Sequence, residues 1–156
     1  MSDDQHNSQE YMEFIDLNAT NADRPRDIYW GLAMMPLYLY GHQEKAIEVG
    51  SKMMDSIDGL WSLRISYLVK FYLSLSILTR HLDNPGHGSL DSRLEDVLKY
   101  KAEVDFARSC CDANYGMWSL LLEGLLCEVR EDFHASFLAY EVTTPWGRQF
   151  LPLNCN

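Results

Sequence analysis

A chain of 156 residues suffices for one domain, or part of one, with a sizeable core. Apolar residues make up 47% of it, including nine Tyr, six Phe and four Trp, which excludes global disorder. With 23 acidic residues against 13 Lys plus Arg, the formal net charge of -10 repels polyanions and disfavours nucleic acid and acidic membrane as partners.

Met1 to Glu10 is polar and without apolar periodicity, so a frayed tail is expected. Tyr11, Phe14, Ile15 and Leu17 then give a short amphipathic helix, followed by the turn-forming run Asn18 to Arg24. These first 24 residues read as a tail and a short helix ahead of a helical domain over 25–141, with an irregular segment over 142–156.

Helix A is predicted from about Pro25 to Tyr40. Ile28, Leu32, Met35 and Leu39 form one apolar line, and Tyr29, Trp30, Ala33, Leu37 and Tyr40 make the other side apolar too. A helix apolar on both sides is packed on both sides. Pro36 removes a backbone donor inside this pattern, so a kink or break near Leu32 to Met35 is expected. Gly41 ends the segment with a residue suited to the left-handed helix terminus.

Helix B carries Ala46, Val49, Gly50, Met53 and Ile57 inward, and Glu44, Lys45, Glu48 and Lys52 toward water. So short a connection makes A and B antiparallel neighbours. Helix C is predicted from Leu60 to His81. Arg64 one turn in and Lys70 near its midpoint argue against a membrane span and for a buried scaffold helix.

The loop His81 to Ser89 holds Pro85, Gly86 and Gly88. His81, Asp83, His87 and Asp91 could form a metal site, but a polar surface loop is the preferred reading, because such segments seldom preorganise four ligands. No cofactor is expected.

Helix D runs from near Ser89 to about Ala113. Leu90, Leu94, Val97, Leu98, Val104 and Cys111 are placed inward, and the charged residues from Arg93 through Lys101, Asp105 and Arg108 on a solvated face. Asn114-Tyr115-Gly116 is read as its end. Helix E follows from Met117 to Arg130, and Glu131-Asp132 turns the chain into helix F, anchored by Phe133, Phe137 and Tyr140.

Four cysteines, Cys110, Cys111, Cys127 and Cys155, lack CxxC spacing, which implies a reducing, cytoplasmic setting. Neighbours on a helix point about 100° apart, so Cys110 and Cys111 are read as small hydrophobes rather than a redox pair.

The hairpins A/B and E/F invite a repeat test. With Ala46 at the small position of a tetratricopeptide repeat, Trp30 falls at the Trp position and Gly41 at the turn. In the second pair Gly124, Ser136 and Tyr140 fall at the small, small and aromatic positions, and Leu120 stands where the Trp belongs. Trp30 and Leu120 lie 90 residues apart, not a multiple of the 34-residue period, which points to an irregular array. The fold class is therefore all-α, a tetratricopeptide-like solenoid fragment of antiparallel hairpins.

The order PRDIYWGLAMMPLYLYGHQEKAIEVGSKMM, LWSLRISYLVKFYLSLSILTR, NYGMWSLLLEGLLCEVREDFHASFLAYE resembles the helical region of large fungal hybrid sensor histidine kinases. In that family a protein-kinase-like domain and an ATPase domain precede such helices, and GAF, histidine kinase and receiver domains follow. The likeness covers about Pro25 to Glu141, and it implies a fragment or a shortened gene product. The kinase catalytic loop, phosphate loop, phosphoacceptor His and ATP lid are missing, so no catalytic residue carries over. The expected role is a non-enzymatic signalling scaffold that binds protein, with Tyr29, Trp61, Tyr115 and Trp118 as contact positions unless they are core. A free-standing adaptor for peptide segments is the alternative, and an enzyme using the His81 to Asp91 loop comes last.

Overall fold

The computed structural model describes residues 7–20, 23–60, 64–85 and 91–147, the side chains of 91–92 and 143–147 excepted. They form an all-α chain of α1 (Ser8–Asn18), α2 (Asp23–Leu39), α3 (Gln43–Met54), a 3-10 turn (Ile57–Leu60), α4 (Arg64–Asp83), α5 (Asp91–Cys110), α6 (Asp112–Val129) and α7 (Phe133–Gly147). The chain divides within α4 into two compact units, Met1–Val69 and Lys70–Asn156.

In the first unit α1 begins at Ser8, earlier than expected, because Asn7 caps it. The Asn7 side-chain oxygen accepts from the Gln9 amide at 3.0 Å, satisfying a donor that the first turn leaves over. α1 is fastened to α2 by an Arg26–Asp16 ion pair and by Tyr29. α2 passes through Pro36 as one unbroken helix, with the Tyr40 amide donating to the Pro36 carbonyl at 2.9 Å. Leu32 and Met35 are exposed, which puts the carbonyl left over by the missing Pro36 donor on the side that water reaches. Gly31 lets α2 close on the start of α4. A Cβ there would lie 2.5 Å from Ile65 Cγ2.

The α2/α3 turn is a Schellman motif: Gly41 has φ 76°, His42 N–H donates to Leu37 O at 2.8 Å, and Gly41 N–H donates to Tyr38 O at 3.0 Å. The α6/α7 turn of the second unit repeats it bond for bond at an offset of 90. Glu131 has φ 60°, Asp132 N–H donates to Cys127 O at 2.9 Å, and Glu131 N–H donates to Glu128 O at 2.9 Å. The 90-residue spacing therefore reports two hairpins closed by one turn geometry.

In the second unit every residue of α4 from Leu73 to Leu78 is buried. Phe71 stacks on Trp118 of α6 at 4.9 Å and 10°, a contact worth about 1 kcal/mol beyond the area it buries. α5 turns Val97, Tyr100, Val104 and Ala107 inward, a 3.6-residue stripe, whereas Leu98 is exposed, contrary to expectation. The α5/α6 break falls at Cys111, not at Asn114 to Gly116. Arg108 Nε donates to Asp112 Oδ1 at 2.7 Å, and the missing side chain of Gly116 makes room for that carboxylate, which a Cβ would meet at 2.7 Å. What reads as a terminating Gly is a close approach one turn into α6. α7 is capped by Asp132, whose Oδ1 accepts from the Ala135 amide at 3.1 Å, and it continues to Gly147, past the expected limit at Glu141.

Candidate interaction surfaces

Of the four aromatic positions singled out from sequence, Trp61 lies outside the described residues. Tyr29 is half-buried: its hydroxyl is hydrogen-bonded to Ser8 Oγ at 2.8 Å, and its ring lies 5.1 Å from that of Tyr11, so it holds α1 to α2. Trp118 is 8% exposed and belongs to the core, with the half-buried Tyr115 edge-on to it at 5.6 Å. Aromatic rings bury the most area where helices meet, and Tyr29 and Trp118 are used there.

The exposed apolar surface lies elsewhere. On α2 it consists of Leu32, Met35 and Leu39, one of the two lines expected to be packed. On α7 it consists of Phe133, Phe137, Leu138 and Val142, exposed by 69%, 59%, 48% and 66%. Phe133 and Phe137 are thus not the anchors expected. α7 packs on α6 through Ser136, Ala139 and Tyr140, and the Ser136 hydroxyl donates to Glu128 Oε1 at 3.3 Å. The 90-residue offset accounts for the exposure of part of this face. Leu138 and Val142 stand at the places of Glu48 and Lys52, which α3 turns to water.

Between α2 and α3 runs a groove of about 260 Å³ with Trp30, Val49 and Met53 among its lining. Its charges are matched internally. Glu48 accepts from Lys52 at 2.8 Å and from Lys45 at 3.3 Å, and these bonds hold its carboxyl below the usual range. Arg26 is held on Asp16 and Asp23. The groove offers apolar contact with a rim of largely paired charges.

A polar seam joins α5 to α6. Lys101 Nζ donates to Asp105 at 2.6 Å and to Glu123 at 2.8 Å, while Ser119 Oγ donates to the other Asp105 oxygen at 2.6 Å. Only 14% of the Lys101 side chain is exposed, so part of the face read as solvated is a helix contact. Burial alone would lower the Lys101 pKa, but the two carboxylates outweigh it and hold it above the ordinary value. Next to this seam, burial first and then the charges of Glu123 and Asp132 push the Cys127 thiol up.

Among the described residues no three His, Cys, Asp or Glu side chains converge as metal ligands do, and no helix is long and apolar enough to cross a membrane. His81 and Asp83 occupy the last turn of α4, while His87 and the Asp91 side chain lie outside the described residues. No protein-family model matches the chain, and no curated protein or solved structure is similar to it. Cys110 and Cys111 are free thiols, Cys110 exposed at the end of α5 and Cys111 at the α5/α6 break.

Proposed function

We infer that this chain is a non-catalytic helical scaffold segment that binds protein, serving as an interaction region of a cytoplasmic two-component signalling histidine kinase. The observation that carries the scaffold role is the outer face of α7, where Phe133, Phe137, Leu138 and Val142 are exposed around His134 and Glu141. Apolar exposure concentrated on one helix is what an interaction surface supplies. The place in a histidine kinase rests on the sequence likeness over Pro25 to Glu141. The net charge of -10 directs the surface to protein rather than to nucleic acid or anionic lipid.

The groove beside Trp30 favours a second reading, an adaptor that takes an extended or helical peptide segment between α2 and α3. Immunoblotting of source-cell lysate with an antibody against residues 91–113 separates the two. A band many times larger than 18.1 kDa supports the kinase scaffold, and a band at 18.1 kDa gives the adaptor precedence. The surface itself is tested by Phe137→Glu in the native protein. It should leave the large assembly in which the wild type fractionates, and unchanged fractionation would remove α7 from the argument.

A further inference from the structure

We propose that the outer face of α7 is self-complementary and pairs, antiparallel, with α7 of a second copy of this chain about a two-fold axis passing between Phe137 and Leu138. This deepens the scaffold role and rests on α7 being an interaction surface. Reflection through the midpoint of 137 and 138 exchanges Phe133 with Val142, His134 with Glu141, and Phe137 with Leu138. All six residues are exposed. At about 100° per residue, His134 and Glu141 lie within roughly 10° of the centre of one face, Phe137 and Leu138 about 50° to either side, and Phe133 and Val142 about 90°. Ser136 and Ala139, which are buried, fall on the opposite side.

A two-fold contact requires the same patch to match itself, with residue i facing j and j facing i. Antiparallel pairing sets Phe137 beside Phe137 of the partner subunit and Leu138 beside Leu138 of the partner subunit, with Phe133 and Val142 on the two outer flanks of the contact. It also sets the His134 imidazole against Glu141 of the partner subunit, twice. An imidazole carries an N–H donor in either protonation state and a carboxylate accepts it, so the polar centre of the face is complementary. A chain of net charge -10 repels its own copies elsewhere. Along the described side chains of α7, Glu141 is the only acid and no Lys or Arg is present, so a like-charged copy meets little repulsion along this face.

A 15-residue helix is about 22 Å long, and one such helix pair buries less than the roughly 1,600 Å² of a standard interface, so the association is weak and reversible. Sedimentation equilibrium of the full chain from about 10 to about 500 µM in about 0.15 M salt tests it. The wild-type mass should rise from 18.1 kDa toward twice that value. His134→Glu sets carboxylates against each other at both ends and should weaken association about tenfold. The double variant His134→Glu, Glu141→Lys restores an opposite-charge pair and should return to within about threefold of wild type. Glu in the first turn of a helix is favourable, so the single variant should keep its helical circular dichroism and melting temperature.

A wild type that stays monomeric, a dimer indifferent to His134→Glu, or a double variant that is not rescued would each overturn the pairing. If the chain is monomeric while Phe137→Glu still leaves the native assembly, self-pairing falls and the scaffold surface stands. If Phe137→Glu has no effect there either, both fall.

Discussion

A Cβ on Gly124 of α6 would lie 2.2 Å from Cε1 of Tyr140 on α7, and 2.6 Å from its Cζ. The two helices close where a ring occupies the place of a side chain, and the first hairpin reverses the sizes. Ninety residues earlier the same two places hold Met34, fully buried, and Gly50. Gly124→Ala should therefore destabilise by about 1–3 kcal/mol through overpacking. In a Tyr140→Ala background the same change should become neutral or stabilising by up to about 1 kcal/mol, since Ala is the better helix former. Urea titration of the four proteins checks this, and equal effects in both backgrounds would show that the ring is not what the new methyl meets.

Glu131 holds the left-handed conformation that Gly41 holds in the other hairpin. The bonds that close the two turns are the same, so the difference lies in the strain of a side chain at φ 60°. Glu131→Gly should stabilise by about 1 kcal/mol and Gly41→Ala should destabilise by a similar amount. Both are read from the urea midpoint at constant slope.

The hairpins were legible in the sequence because Gly41 and Glu131-Asp132 interrupt two apolar runs at turns that short connections force to be antiparallel. The α5/α6 boundary was not, since Asn-Tyr-Gly has the composition of a turn, and only the Asp112 carboxylate lying over Gly116 shows why that Gly is inside a helix. Apolar spacing also misplaced Phe133 and Phe137. On a helix with apolar residues around most of its circumference, periodicity does not tell the packed side from the open one. The Lys101 seam was hidden for a related reason: a long stem with a charged tip reads as solvated until a neighbouring helix supplies carboxylates. Of the aromatic positions singled out in the sequence, Tyr29 joins α1 to α2 and Trp118 joins α6 to α4, while Tyr115 packs edge-on to Trp118 within α6.

The cysteines should separate by reactivity. Cys110 is exposed, Cys127 is buried, and burial with the nearby charges of Glu123 and Asp132 raises the Cys127 thiol. Since the thiolate is the reactive form, iodoacetamide at pH 8 should modify Cys110 at least about tenfold faster than Cys127, followed peptide by peptide in a mass spectrometer. Glu123→Gln removes one of the charges that oppose thiolate formation and should speed Cys127 only slightly, because burial is the larger cause. A Cys127 that reacts as fast as Cys110 would mean that α6 is not packed as described.

Lys101 gives the seam a pH signature of definite sign. Its folded pKa is raised, so its contribution is fully present below the unfolded value of about 10.4 and is lost as pH rises through the folded one. Lys101→Met keeps the stem and removes the charge. Asp105 and Glu123 remain partly solvated, so the expected loss at pH 8 is about 1 kcal/mol rather than the full penalty of stranding buried acids. Wild type and variant should converge as pH climbs above about 10.4, because the deprotonated lysine no longer holds the two carboxylates. Tyrosines titrate in the same range in both proteins, which makes the difference between them the quantity to follow. A difference that stayed constant from pH 8 to pH 11.5 would show that Lys101 stabilises α5 against α6 by packing its stem and not by its charge.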